Sequence, residues 1–168
     1  MARARPHGSA IAEATLRALL DEVRDPEIPI LSIADLGVLR DVRWDHGQVT
    51  VVITPTYSGC PAMRTIEDDV RRVLAAAGYA DVVVETRLAP AWTTDWLTPA
   101  AHAKLRSVGI APPVAATTDK RALLGADVAC PRCASRRTER ISEFGSTACK
   151  ALYRCLACLE PFDYFKCL

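Results

Sequence analysis

Apolar positions in the first half of the chain follow two periods. Ile11, Leu16, Leu19, Leu20 and Val23 favour one helical face, and Ser9 is placed to cap the helix they predict over 10–23. Asp25-Pro26-Glu27-Ile28-Pro29 stops that helix, because proline removes a backbone donor and restricts the residue before it. The pattern then switches to strands over 38–44 and 48–54, joined by Asp45-His46-Gly47, where Gly47 can take a positive φ. Val49-Thr50-Val51-Val52-Ile53 is almost wholly β-branched, which marks a central, buried strand.

Helical spacing returns after Gly59-Cys60-Pro61. Met63, Ile66, Val70, Val73, Leu74 and Ala77 form one stripe, with Glu67, Asp68, Asp69, Arg71 and Arg72 off it. Pro61 suits the first helical position, which puts Cys60 at the N-cap, and Gly78 ends the helix. A third strand covers 82–86, and the strand–helix–strand order makes it parallel to the second. Thr98-Pro99 opens a third helix to about Ser107, onto which Trp92 and Trp96 are expected to pack. The fold class is therefore α+β: an αββαβα domain with a mixed three-stranded sheet over 1–110. A Pro/Ala/Thr-rich linker follows over 111–129, with a helical turn expected around Arg121–Leu124, and a small cysteine-rich domain occupies 130–168.

Composition changes this picture little. The 168 residues are 50% hydrophobic and 24% charged with a net charge of +1, so no strong field draws the chain to nucleic acid or membrane. No apolar run approaches the ~20 residues that span a bilayer. The two arginines near the N-terminus precede no apolar segment, which argues against a signal peptide and for the cytoplasm. In that reducing compartment clustered cysteines read as metal ligands rather than disulfides.

Six of the seven cysteines lie in 130–168. Cys130-Pro-Arg-Cys133 and Cys155-Leu-Ala-Cys158 are two C-x-x-C turns, each aiming two thiolates at one ion. The segment alternates knuckle, strand, turn, strand, knuckle, strand, the plan of a zinc ribbon. So short a segment needs the ion to fold. Its seven Lys/Arg against four Asp/Glu offset the excess negative charge of four thiolates on a divalent ion. Zinc is the usual occupant of a closed four-thiolate site, whereas a rubredoxin-like iron centre uses the same ligands and would make the chain an electron carrier. Cys149 and Cys167 remain as buried small residues, additional ligands or a redox pair.

Cys60 is the lone cysteine outside this segment. A helix N-terminus should lower its pKa, and a thiolate there suits the handling of iron, a cluster or sulfur. Asp25 and Glu27 offer carboxylates to the same site, although Asp before Pro commonly just caps a turn. His7, His46 and His102 are scattered. No Gly-rich phosphate loop, nucleophile elbow or histidine zinc motif is present, and no acid/base pair stands out, so no residue is assigned as catalytic. Arg132, Arg136, Arg137 and Arg140 make a small basic cluster without interleaved aromatics, a weak basis for nucleic-acid binding.

Asp25-Pro26-Glu27-Ile28-Pro29, Asp35-Leu36-Gly37 and Thr54-Pro55-Thr56-Tyr57-Ser58-Gly59-Cys60-Pro61 together resemble the small domain of metal–sulfur cluster assembly proteins. The strings from Glu143 to Cys155 and from Glu160 to Cys167 are similar to the tail of the PaaD family, part of the multicomponent phenylacetyl-CoA epoxidase system of aerobic phenylacetate catabolism. The resemblance implies an accessory subunit, not catalytic alone, that assists iron or iron–sulfur cluster assembly. Its implied partners are the oxygenase and reductase subunits. Cys60 would handle a transient iron or cluster with Asp25 and Glu27 nearby, and structural zinc on Cys130, Cys133, Cys155 and Cys158 would shape a docking tail. A homodimer stays open.

Overall fold

The structure is a computed structural model describing residues 7–114 and 128–166, with side chains from residue 12 onward. It divides into two compact units, Met1–Trp92 and Thr93–Leu168.

In the first unit α1 (His7–Leu20) precedes the hairpin of β1 (Leu39–Asp45) and β2 (Gln48–Ile53); α2 (Ala62–Ala76) then leads to β3 (Asp81–Thr86). The sheet order is β1-β2-β3, antiparallel then parallel, the mixed sheet that the strand–helix–strand order requires. The hairpin loop is one residue tighter than the sequence suggests. Asp45 pairs with Gln48, and both loop residues take positive φ, His46 at 47° and Gly47 at 89°. That pattern gives the turn the same twist as the strands.

The core joins Leu16, Leu20, Val42, Val51, Ile66, Val70 and Leu74, each at most 1% exposed. In α2 the buried residues are Ala62, Ile66, Val70 and Leu74, a stripe narrower than the periodicity implies. Arg71 pairs with Glu67 and Arg72 with Asp69 on the exposed side. The segment between α1 and β1 is not a loose loop. Ile28, Leu31, Ile33, Leu36 and Val38 are all buried. Ser32 and Asp35 exchange backbone-to-side-chain hydrogen bonds of 3.0 Å, and the Ser32 hydroxyl donates to Asp21 at 2.6 Å.

The second unit holds a short 3₁₀ turn (Thr94–Trp96), α3 (Pro99–Ser107) and a four-stranded sheet in the order β4-β7-β6-β5. Its strands are β4 (Ile110–Ala111), β5 (Thr138–Ser142), β6 (Lys150–Cys155) and β7 (Pro161–Phe165). Thr98 caps α3 by accepting from the Ala101 N–H at 3.1 Å. Here the structure departs from the sequence reading, which groups the third helix with the first sheet. Ile110 and Ala111 pair in parallel with Asp163 and Tyr164, so α3 and β4 divide with the ribbon, after Trp92 rather than at 110. Two residues are too few to carry a strand periodicity. The two tryptophans separate accordingly. The Trp92 indole donates to the Leu36 carbonyl at 2.9 Å within the first unit, while Trp96 belongs to the second. Most of the expected linker, the turn around Arg121–Leu124 included, and Cys167 lie outside the described residues.

The second core is aromatic and sulfur-rich. Tyr153 stacks on Phe162 at 5.9 Å and meets Tyr164 edge-on at 5.4 Å. Ala111, Val128, Ala151, Cys130 and Cys155 are buried with them.

Candidate functional site

Two groups of chemically competent residues stand in the described residues, one in each unit.

The first lies where the carboxyl end of β2 leaves the sheet. Leu39 pairs with Ile53, and the Thr54 N–H donates to the Val38 carbonyl at 2.9 Å. The segment entering β1 and the loop leaving β2 therefore share one end of the sheet. Parallel α/β layers commonly open their binding crevices at the carboxyl ends of strands. The entering segment carries Asp25 and Glu27, and the leaving loop carries Thr56 and Cys60.

Asp25 is 8% exposed, and its Oδ1 accepts the backbone N–H groups of Glu27 at 2.8 Å and Ile28 at 2.7 Å. That is the turn-capping role an Asp before Pro commonly takes. It also fixes Glu27, half-buried, two residues along the turn.

Cys60 is half-buried immediately before α2. The N-cap falls on Pro61 (φ −69°, ψ −21°), one residue later than the sequence suggests, and the Met63 N–H reaches the Cys60 carbonyl at 3.4 Å, so Cys60 stands just ahead of the helix end. Its Sγ accepts from the Ala62 N–H and the Thr56 hydroxyl. The expectation of a lowered pKa is nevertheless overturned. Burial pushes the thiol up, and the charges of Glu27 and Asp25 push the same way; the two hydrogen bonds oppose them and lose. Thr56 is the residue the sequence reading missed at this site, since its hydroxyl reaches Cys60 only through the turn that closes with the Cys60 N–H on the Tyr57 carbonyl at 3.1 Å.

The second group is the four-thiol cluster. The sulfurs of Cys130, Cys133, Cys155 and Cys158 all lie within 4.8 Å of one another. Cys130 and Cys158 are 3.7 Å apart, and Cys133 and Cys155 are 3.6 Å apart. A tetrahedral ion with Zn–S bonds of ~2.3 Å sets its sulfurs ~3.8 Å apart, so the four thiols fit such an ion. Cys130 and Cys155 are buried, whereas Cys133 and Cys158 face solvent.

The two knuckles repeat one design. The Cys130 N–H donates to the Ser135 carbonyl at 2.9 Å, and the Cys155 N–H donates to that of Glu160 at 3.0 Å. The residue after each second cysteine takes a left-handed backbone, Ala134 at φ 58° and Leu159 at φ 66°. Without a cation the four thiols cannot all ionise. The Cys158 N–H, helped by that of Ala157 against desolvation, pulls Cys155 down to about 6. At Cys158 the Glu160 N–H favours the thiolate, but desolvation and the three neighbouring sulfurs push it up to about 12. A divalent cation removes that conflict.

Cys149 does not join these four. It precedes β6, whose far end carries Cys155, and its Sγ is 3.0 Å from the Thr147 hydroxyl. Two arginines of the basic cluster face carboxylates instead of standing free, Arg132 at 4.0 Å from Glu160 and Arg140 at 2.7 Å from Glu143. No helix among the described residues is long and apolar enough to cross a membrane.

A small α/β unit with a thiol in its β2–α2 loop is thus followed by a second unit built around a four-cysteine ribbon. Comparison with known proteins gives the same division. Residues 13–86 match the iron–sulfur cluster assembly protein family, and residues 114–166 match the PaaD zinc beta ribbon domain. The chain is 52% identical over 151 residues to an Escherichia coli (strain K12) protein provisionally named as a component of 1,2-phenylacetyl-CoA epoxidase, with 90% of each chain covered. The chain belongs to this PaaD family. It is also 36% identical over 89 residues to a Porphyromonas gingivalis protein named an Fe-S protein maturation auxiliary factor, covering 52% of this chain and 84% of that one. The crystal structure of a domain of unknown function, DUF59, from Bacillus anthracis matches with a TM-score of 0.55 and 29% identity, over 58% of this chain and 94% of that one.

Proposed function

We propose that this protein is a cytoplasmic accessory subunit of a phenylacetyl-CoA epoxidase system, one that assists delivery of iron or an iron–sulfur cluster to the oxygenase or its reductase. The observation that carries this reading is the convergence on Cys60 of two carboxylates from a separate segment. Asp25 and Glu27 make the site unfavourable for a bare thiolate and favourable for a cation. A cation arriving there supplies the charge that ionises the thiol, so the site binds its cargo and is quiet without it. The relatives support the same reading. The Escherichia coli relative is named for the epoxidase, and the shorter relative for Fe-S protein maturation.

The ribbon has a different task. Zinc on Cys130, Cys133, Cys155 and Cys158 would use every position of a tetrahedral site, which leaves no open one for chemistry. Its contribution is to hold β5–β7 as a rigid surface that meets a partner protein. No residue of the chain is assigned a catalytic role.

The test is co-expression of the oxygenase and reductase subunits with either the natural chain or Cys60→Ser, followed by iron and acid-labile sulfide analysis of each purified client. The reading expects a client deficient in iron or sulfide with Cys60→Ser. Full occupancy and full epoxidase activity with that variant would reject it.

A further inference from the structure

The turn between β5 and β6 is more tightly fixed than a surface turn needs to be, and its outward feature is an exposed aromatic ring. The Gly145 N–H donates to the Lys150 carbonyl at 2.7 Å, and the Lys150 N–H donates to the Thr147 carbonyl at 3.1 Å. The Ser146 hydroxyl donates to Asp163 Oδ2 at 2.9 Å. The same oxygen faces Lys150 Nζ at 3.9 Å, and Lys150 is buried to 4% exposure. A Cβ on residue 145 would stand 2.5 Å from Asp163 Oδ1 and 3.3 Å from Lys150 Cβ, so a larger residue there would push the Asp163 carboxylate away from its present contacts.

Phe144 is 64% exposed on this turn. Lys166 donates to the Glu143 carbonyl at 3.2 Å and holds its ammonium 4.7 Å from the Phe144 ring centre. The other charges nearby are matched, Arg140 by Glu143 and Lys150 by Asp163. Lys166 meets no carboxylate among the described residues. Exposing the Phe144 ring contributes nothing to the ribbon's own core. The result is a preorganised aromatic anchor beside a cation that meets no carboxylate among the described residues, the kind of feature that dominates protein interfaces.

We infer that the Phe144 turn is the ribbon's docking element, and that it inserts into an apolar pocket on a partner protein whose rim carries a carboxylate facing Lys166. This deepens the docking role proposed above and rests on it. The β5 edge itself is a poorer candidate for strand addition, because a bulge between Arg140 and Ser142 breaks its ladder. The turn also lies at the opposite end of β6 from Cys155, about 16 Å away along the strand, so it can be altered without touching the metal ligands.

The test is calorimetric titration of the full-length zinc-loaded chain, Phe144→Ser and Lys166→Glu against the purified oxygenase complex and, separately, the purified reductase. Zinc content and circular dichroism serve as controls on the variants. The inference expects the natural chain to bind one of the two, Phe144→Ser to weaken that binding at least about tenfold, and Lys166→Glu to weaken it and flatten its salt dependence. Binding by the natural chain that Phe144→Ser changes less than twofold would overturn the inference and leave the accessory role standing. Binding to neither client would overturn both. Self-association that Phe144→Ser abolishes, without client binding, would assign the turn to a second copy instead.

Discussion

Cys60 receives opposing influences from three parts of the first unit, and their balance decides its chemistry. The helix end and Thr56 favour the thiolate, while burial, Glu27 and Asp25 oppose it, and the opposition prevails. The thiol is therefore mostly protonated at neutral pH, and its alkylation should keep rising as pH increases past the ordinary thiol range. Glu27→Gln removes one opposing charge and should speed alkylation at pH 7.5, as read by peptide mapping after timed iodoacetamide treatment; an unchanged rate would place Glu27's charge away from the sulfur. Asp25 acts through the fold as well. Asp25→Ala strips the acceptor from the Glu27 and Ile28 N–H groups and should cost about 2–3 kcal/mol in urea denaturation, whereas Asp25→Asn keeps an acceptor and should cost about half of that. The position of Cys60 beside a helix start was legible in the chain to within one residue, because Gly-Cys-Pro before an apolar helical stripe marks such a start. The direction of its pKa was not, since burial and the two carboxylates come from residues folded against it.

Among the elements, the knuckles show how far spacing alone reaches. Two C-x-x-C turns separated by strand-forming residues are enough to foretell the four-thiol cluster, and β5, β6 and β7 follow in the knuckle, strand, turn, strand, knuckle, strand order. What spacing does not show is the left-handed residue closing each knuckle. A non-glycine residue pays roughly 1–2 kcal/mol there. Leu159→Gly should therefore leave stability unchanged or raise it by up to about 1 kcal/mol, while Leu159→Val should lower it by at least about 1 kcal/mol. Thermal melts of the zinc-loaded chain check both. The misplaced element is α3. Its caps and length were readable, but its assignment hangs on the Ile110–Ala111 pairing with Asp163–Tyr164, a contact between segments distant in sequence with no local signature.

Across the whole molecule the two units differ in what holds them together. The first has an aliphatic core of its own; the second shares its core between aromatic rings and two of the four clustered cysteines. Stripping the metal with a strong chelator should unfold the ribbon while leaving the first unit cooperative. Denaturation would then show one retained transition and one lost, the lost one reported by near-UV signals of Tyr153 and Tyr164. The proposed division of labour puts a structural zinc in the ribbon and an iron-handling thiol in the first unit. Metal and sulfide analysis of the anaerobically purified chain, natural and Cys60→Ser, each co-expressed with the epoxidase subunits, tests it most directly. About one zinc per chain is expected in both proteins, with iron present in the natural chain and absent from Cys60→Ser. Iron that persists in Cys60→Ser, or that replaces zinc on the four ribbon cysteines, would contradict it.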